Sequence, residues 1–226
     1  MKDSHIIPTV FSKSKRGFEK RFMEVVKISK KIQIDFMDGK FVPAKSVSLE
    51  DIPNLKKYRK EFEAHLMVEN PREWLRGCKE KGFVRVIFHI ETSKDENDAQ
   101  ETIYFAKGLG LQVYVAINPS TSLKKISGLV RKKKCDGILL LGVHPGKEGQ
   151  KMSSKIPSRV RDIKRLNKKM IVQIDGGVNG KNIELVAAAG VDKVNSGSFV
   201  SDSKNPRSQM NLLENLFEAG RRTFKK

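Results

Sequence analysis

The sequence predicts a single-domain (β/α)₈ TIM barrel, on three observations. Short runs of β-branched or apolar residues alternate with stretches of helical spacing, which is the pattern of parallel βαβ units. Eight such units in 226 residues average about 28 residues each, a length that suits a compact barrel. No Gly/Pro/Ser-rich linker or low-complexity segment interrupts the chain, so we expect one domain over residues 1–226. A doubly wound open sheet is the alternative.

Eight runs carry the predicted strands. They are residues 5–11, 31–36, 62–68, 84–89, 112–117, 137–143, 170–175 and 192–195. Each run is rich in residues that suit a pleated, half-buried surface, and turn or helix signals separate one run from the next.

Apolar residues three and four positions apart predict the helices between the strands. Such faces are formed by Phe18, Phe22 and Val25, by Leu123, Ile126 and Val130, by Val160, Ile163 and Leu166, by Ile183, Val186 and Ala187, and by Leu212, Leu213, Leu216 and Phe217. The stretch Asn118-Pro119-Ser120-Thr121 predicts a helix start, and Gly82, Gly110 and Gly190 stand where helices should stop. Pro53 makes the helix of the second unit short or irregular.

The composition excludes several classes of protein. A chain that is 38% hydrophobic is too apolar for a disordered protein, and no run reaches the ~18 apolar residues of a membrane-spanning helix. The apolar stretch near the N-terminus is too short for a secretory signal. Cys78 and Cys135 stand far apart, which excludes a disulfide framework or zinc knuckle. We therefore expect a soluble, cytoplasmic globular protein with no membrane partner.

The net charge of +19, from 45 Lys+Arg against 26 Asp+Glu, raises nucleic acid as a possible partner. The cations fall mainly in the helical segments and the loops beside them, which ring the outside of a barrel. No aromatic-interleaved stripe appears among them. The pattern favours a solvated outer shell, and nucleic acid is not expected as the main partner.

Polar residues at the predicted strand ends are candidates for chemistry, because barrel enzymes place their catalytic groups there. Period-two alternation puts Gln33 and Asp35 on the inner face of the second strand. His65 lies near the end of the third strand and Asp175 ends the seventh. Paired carboxylates suit two-sided proton transfer, and an imidazole beside them suits a shared divalent metal. Any one of these aspartates alone could instead cap the following helix.

The loops after strands six, seven and eight are rich in glycine, which predicts a phosphate site. Glycines let backbone N–H groups approach an anion closely, and such late loops are the recurrent phosphate grip of these barrels. The residues concerned are Gly146, Gly149, Gly176, Gly177 and Gly197, with Ser198. Each cluster alone could be turn chemistry, so the prediction depends on the three together.

Several strings in the chain resemble the ribulose-phosphate 3-epimerase family. They are Met-Asp-Gly-x-Phe-Val-Pro at 37–43, His-Leu-Met-Val-x-Asn-Pro at 65–71, Phe-His-Ile-Glu at 88–91, Asn-Pro at 118–119, Pro-Gly at 145–146 with Gly-Gln at 149–150, Asp-Gly-Gly-Val at 175–178 and Gly-Ser at 197–198. The resemblance covers most of the chain, in order. It implies metal-assisted epimerisation at C3 that interconverts D-ribulose 5-phosphate and D-xylulose 5-phosphate, a step of the pentose phosphate pathway, in a homo-oligomeric enzyme.

The resemblance also implies roles for the residues at the strand ends. Asp35 and Asp175 would act from opposite faces of the substrate, one removing the C3 proton and the other returning one. The family's divalent metal would be held by Asp35, His65 and Asp175. The family's first histidine ligand is Gln33 here, whose amide oxygen is a poorer ligand for zinc or iron than imidazole. We therefore expect weaker metal binding, or a shift from zinc or iron toward magnesium or manganese.

The substrate pocket implied by the resemblance includes Met37, Met67 and His65, with Thr9 where the family has a serine. The phosphate would be held by Gly146, Gly149, Gly176, Gly177, Gly197 and Ser198.

Two departures from the family leave other functions open. Leu141 replaces a third pocket methionine, and the loop at 144–150 lacks one glycine and an aromatic residue. The alternatives are an epimerase for another phosphosugar, such as a ketohexose 6-phosphate, or a non-catalytic basic scaffold. The decarboxylases and aldolases that share an Asp-x-Lys-x-x-Asp motif are disfavoured, because residues 35–38 read Asp-Phe-Met-Asp.

Overall fold

The computed structural model describes residues 4–146 and 150–224, and eight parallel strands of these residues form a closed barrel. The strands are β1 Ile6–Val10, β2 Lys31–Met37, β3 Glu61–Met67, β4 Arg85–His89, β5 Gln112–Ile117, β6 Gly137–Leu141, β7 Ile171–Asp175 and β8 Lys193–Ser196. Each strand pairs with the next in chain order, and β1 also pairs with β8. The predicted barrel is confirmed, and the open-sheet alternative is wrong.

Helices follow most of the strands on the outside of the barrel. They are α1 Lys15–Val25, α2 Leu75–Lys81, α3 Glu96–Gly108, α4 Ser127–Arg131, α5 Ile156–Leu166, α6 Ile183–Ala188, α7 Ser198–Ser201 and α8 Pro206–Phe224. Short 3₁₀ turns cover Leu55–Tyr58, Pro71–Trp74, Ile90–Thr92 and Leu123–Ile126. The second unit has only the turn at Leu55–Tyr58, as the sequence predicts.

The observed helix boundaries test the starts and stops that the sequence predicts. Gly82, Gly110 and Gly190 close their helices with φ angles of 100°, 73° and 96°, which confirms the predicted stops. The start predicted at 118–121 is wrong in its position, since the turn begins at Leu123. Ser122 precedes that turn, and its side chain accepts a hydrogen bond from the backbone N–H of Lys124. A side-chain cap therefore decides this boundary rather than the Asn-Pro pair.

The apolar core has two parts, one outside the strands and one inside the barrel. Residues such as Ile32, Ile34 and Phe36 point outward and are fully buried against the helices. Inside the barrel, a second apolar cluster fills the side formed by β4, β5 and β6. The side formed by β2, β3, β7 and β8 instead carries buried polar side chains. This polar half of the interior leads up to the strand ends.

A buried ion pair lies at the floor of the polar half. Arg85 Nη1 donates to Glu63 Oε2 at 2.5 Å, and the two side chains are only 5% and 2% exposed. The guanidinium carbon also lies 4.5 Å from the centre of the Tyr114 ring. Because a buried charge needs a partner, this pair fixes β3 against β4 at the base of the barrel.

Most of the charge lies outside the barrel. One concentration of cations lines a groove of about 550 Å³ beside the α6–β8 connection, formed by Arg161, Lys164, Arg165, Lys168 and Arg221. Among the described residues, no helix is both long and apolar enough to cross a bilayer.

Both cysteines are expected to resist thiol reagents in the folded protein. Cys78 and Cys135 are free and buried, and burial raises the pKa of each thiol to about 12. Since the thiolate is the reactive form, an aromatic disulfide reagent at pH 8 should label neither residue until denaturant is added. The measurement is the labelling rate with and without urea. Labelling in the folded state at the rate of an exposed cysteine would contradict this expectation.

Candidate active site

The carboxyl ends of the strands open onto a cavity of about 120 Å³. The residues that line it come from both the early and the late strands: Thr9, Phe11, Asp35, Met37, His65, Met67, Leu141, Val143, Pro145, Gly146, Asp175, Gly176, Gly197 and Ser198. Nearly all the candidate site residues from the sequence therefore share one cavity. Phe11 and Val143 are walls that sequence reasoning missed, because an apolar residue at a strand end carries no chemical signal.

One of the predicted phosphate residues, Gly177, is not among the described residues that line this cavity. Gly177 packs against the returning loop, where a Cβ would lie 2.6 Å from the backbone nitrogen of Met152. Its φ of 72° also favours glycine, so its role in the structure is to allow this close approach. Gly149 lies outside the described residues.

Three candidate ligands meet at the bottom of the cavity. His65 Nδ1 lies 3.1 Å from Asp35 Oδ1 and 3.4 Å from Asp175 Oδ2. The strand register sets Asp35 beside His65 on β2 and β3, whereas Asp175 reaches them from β7. One donor atom from each residue lies within 4.8 Å of the other two, which fits a divalent ion. An imidazole with two carboxylates is a common donor set for such ions.

Gln33 lies directly beneath the two aspartates and is fully buried. Its Nε2 donates to Asp35 Oδ1 at 2.9 Å and to Asp175 Oδ2 at 2.6 Å. Its Oε1 accepts a hydrogen bond from Asn195 Nδ2 at 2.7 Å. The idea that the Gln33 oxygen faces the ion as a fourth ligand does not match this arrangement, since the amide nitrogen faces the carboxylates.

A second histidine supports the first. His65 Nε2 and His89 Nε2 are 3.0 Å apart, with the two rings stacked at 5.1 Å. His89 Nδ1 in turn lies 3.3 Å from Glu91 Oε2. The string at 88–91 contains both residues, but the sequence alone did not show that His89 touches His65.

Burial and charge set the protonation of this cluster. Burial raises the pKa of Asp35 to about 6, and the charge of Asp175 adds to the rise. Burial lowers the pKa of His65, but its hydrogen bonds with Asp175 and Asp35 outweigh this effect and raise that pKa to about 9. Burial lowers the pKa of His89 to about 4. The neutral His89 can therefore accept a hydrogen bond from His65 Nε2.

Comparison with known protein sequences gives one consistent result. A family model described as the ribulose-phosphate 3 epimerase family matches residues 5–201. The ribulose-phosphate 3-epimerase of Aquifex aeolicus is 33% identical over 190 residues, which cover 82% of this chain and 83% of that protein. The cytoplasmic isoform of the same enzyme from Oryza sativa subsp. japonica is 29% identical over 189 residues, covering 83% of this chain and 82% of that protein.

Solved structures share the barrel at much lower identity. 3-Hexulose-6-phosphate synthase from Salmonella typhimurium has a TM-score of 0.73 and 16% identity, with 96% of this chain and 99% of that chain covered. Orotidine 5'-phosphate decarboxylase from Pyrococcus horikoshii OT3 has a TM-score of 0.66 and 17% identity, with 94% and 99% covered. At such identities the likeness shows the fold alone.

Proposed function

The chain belongs to the ribulose-phosphate 3-epimerase family, and we propose that it is an isomerase that interconverts D-ribulose 5-phosphate and D-xylulose 5-phosphate. The observation that carries the proposal is the pair Asp35 and Asp175, which enter one cavity from β2 and β7. Inversion at a carbon needs a proton removed from one face and another delivered to the opposite face. A base on one face alone would restore the original stereocentre.

We propose that Asp35 and Asp175 carry out this exchange. In the closed barrel β1 and β8 separate β2 from β7, so the two carboxylates reach the cavity from different directions. In one direction of reaction, one carboxylate takes the C3 proton and the other delivers a proton to the opposite face of the planar enediolate. In the reverse direction the roles exchange.

We propose that a divalent ion is held by Asp35, His65 and Asp175, whose donor atoms fit it. When bound, it supplies positive charge that stabilises the negative charge developing on the substrate oxygens. Zinc, iron, manganese and magnesium are the candidates, and the mixed nitrogen and oxygen donors are compatible with several of them.

The remaining walls are suited to a sugar chain. Met37 and Met67 belong to an apolar cluster with Val42, against which Phe11 and Phe41 pack. This cluster excludes water from one side of the reacting carbon. Thr9 Oγ1 is buried and has no hydrogen-bond partner among the described residues. A substrate hydroxyl would satisfy it, because buried hydroxyls are normally hydrogen-bonded.

We propose that the phosphate binds at the rim formed by Gly146, Gly176, Gly197 and Ser198. Gly146 and Gly176 have φ angles of 99° and 98°, a conformation that favours glycine. A Cβ on Gly176 would lie 2.6 Å from Val143 Cγ2, so a larger residue would displace the wall. Backbone N–H groups at such turns can approach an anion closely.

Two finer points complete the proposal. The free, buried cysteines suit a reducing compartment, so we propose a cytoplasmic location.

We also propose a homo-oligomer. Leu185 on α6 and Leu212 on α8 are 57% and 44% exposed, and such apolar side chains suit contact with a second copy of the chain.

The activity is tested by incubating purified protein with ribulose 5-phosphate and each of the four ions separately. We expect xylulose 5-phosphate to form with at least one ion, and turnover to stop when a chelator removes it. The control substrate is a ketohexose 6-phosphate, since Leu141 and Val143 form part of the wall. Conversion of the ketohexose 6-phosphate alone would show that the protein is an epimerase for that sugar instead. No conversion of either sugar with any of the ions would contradict the proposal.

A further inference from the structure

A chain of buried amides connects the two aspartates to the ion pair at the barrel floor. Gln33 on β2 is hydrogen-bonded to Asn195 on β8, and Asn195 is hydrogen-bonded to Gln173 on β7. Glu63 on β3 accepts hydrogen bonds from both Asn195 and Gln173. All four side chains are at most 2% exposed. We call the amide side chains of Gln33, Asn195 and Gln173, together with the Glu63 carboxylate, the amide relay.

The carboxylate of Glu63 determines which way Asn195 points. Glu63 Oε2 is paired with Arg85, so Glu63 is ionised and can only accept hydrogen bonds. Its Oε1 accepts from Gln173 Nε2 at 2.5 Å and from Asn195 Nδ2 at 3.3 Å. Asn195 Oδ1 accepts a second bond from Gln173 Nε2, at 2.7 Å. The amino group of Asn195 therefore has to face Glu63 and Gln33.

The orientation of the Gln33 amide follows from the hydrogen-bond partners of its oxygen and of its nitrogen. Asn195 Nδ2 donates to Gln33 Oε1 at 2.7 Å, which occupies the amide oxygen. On the other side, the carboxylates of Asp35 and Asp175 offer only acceptors when ionised. A flipped Gln33 would turn its oxygen toward carboxylate oxygens and its amino group toward that of Asn195. Both contacts would be repulsive, so the amide relay fixes Gln33 with its nitrogen toward the aspartates.

We propose that Gln33 is not a metal ligand but a positioning residue, and that Asn195 confers this role on it. A divalent ion is then held by the three side chains from β2, β3 and β7, while the Gln33 amino group holds Asp35 and Asp175 from below. This inference rests on the proposed function only in treating these aspartates as the reacting pair. The tests below measure metal binding and do not need turnover.

Two substitutions should change Zn²⁺ binding in opposite directions. In Gln33→Leu, the side chain keeps its approximate volume but loses both amide groups. Because no ligand is removed, the Co²⁺ spectrum should stay unchanged, while loss of the hydrogen bonds that hold Asp35 and Asp175 should lower Zn²⁺ affinity about 10–100-fold. In Asn195→Leu, the amide oxygen of Gln33 loses its donor and becomes free to turn toward the ion. Zn²⁺ affinity should then rise, because an additional oxygen donor becomes available to the ion.

The experiment is chelator competition for Zn²⁺ on metal-free protein, with the absorption spectrum of the Co²⁺ form as a second readout. Gln173→Leu is the matched control: it removes a buried amide of the same layer, while the amino group of Asn195 keeps its acceptors on Glu63 and Gln33. We expect the Co²⁺ spectrum to change in Asn195→Leu, because an oxygen donor is added, and to stay unchanged in Gln173→Leu. A general loosening of the barrel would alter both variants alike.

Loss of a donor in the Co²⁺ spectrum of Gln33→Leu would show that Gln33 is a ligand and would overturn the proposal. Unchanged affinity and an unchanged spectrum in a folded Asn195→Leu would overturn the role of Asn195. Circular dichroism verifies folding, and if Asn195→Leu does not fold, the Gln33→Leu result decides alone. An epimerase assay on the same samples separates this outcome from failure of the proposed function, which would show as absent turnover in a wild type that binds Zn²⁺.

Discussion

Asp35→Asn and Asp175→Asn are each expected to lower kcat by about 10²–10⁴-fold, the usual contribution of a positioned acid or base. An amide has nearly the shape of the carboxylate but cannot take the C3 proton or return one. Each aspartate serves one face of the substrate, so neither can substitute for the other. The measurement is the initial rate of xylulose 5-phosphate formation at saturating metal.

The same variants separate two-sided from one-sided chemistry. Each should still exchange the C3 hydrogen of one sugar with solvent deuterium, and the two variants should label different sugars. Asp162→Asn is the matched control, because Asp162 lies on the surface of α5 and pairs there with Arg165 at 2.8 Å. Its rate should equal that of wild type. Wild-type rates in either active-site variant would contradict the two-base mechanism.

Arg85→Met is expected to lower the free energy of unfolding by about 3–5 kcal/mol, because it leaves the Glu63 carboxylate buried without its cation. For a protein of this size, such a loss lowers Tm by roughly 6–20 °C. The two side chains are 5% and 2% exposed, so little water can replace the lost partner. The measurements are urea unfolding and thermal melting.

Lys107→Met is the control for this prediction. Lys107 and Asp136 form an ion pair at 3.4 Å, but their side chains are 36% and 40% exposed. Solvent screens such a pair, and its loss should cost about 0–1 kcal/mol. Replacing both Arg85 and Glu63 by apolar residues should recover part of the stability that Arg85→Met loses. A loss below about 1 kcal/mol in Arg85→Met would show that the pair at the barrel floor does not stabilise the fold in the way we describe.

Much of the fold and part of the site could be predicted from local patterns. Period two along the second strand placed Asp35 and Gln33 inside the barrel, and the structure agrees. His65 and Asp175 could be identified as candidates from their places at strand ends, because a barrel brings the carboxyl ends of its strands together. These inferences needed only the strand period and the chain order of the strands.

The pairings within the barrel could not be predicted in the same way. Asn195 and Gln33 are 162 residues apart in sequence, and their contact depends on closure of the barrel, which brings β8 next to β1 and β1 next to β2. Alternation directs Glu63 inward, but nothing local says that Arg85 meets it. The sequence could therefore show that Gln33 replaces a histidine, whereas the direction of its amide follows from a network of side chains that only the closed barrel assembles.

Proton transfer at C3 by two bases is tested most directly by turnover of ribulose 5-phosphate in D₂O, followed by NMR during the first few turnovers. The xylulose 5-phosphate formed should carry deuterium at C3, because its hydrogen comes from a second carboxylate in exchange with solvent. The ribulose 5-phosphate recovered at the same time should largely retain its original hydrogen. A product that keeps the hydrogen of the substrate at C3 would contradict transfer between Asp35 and Asp175.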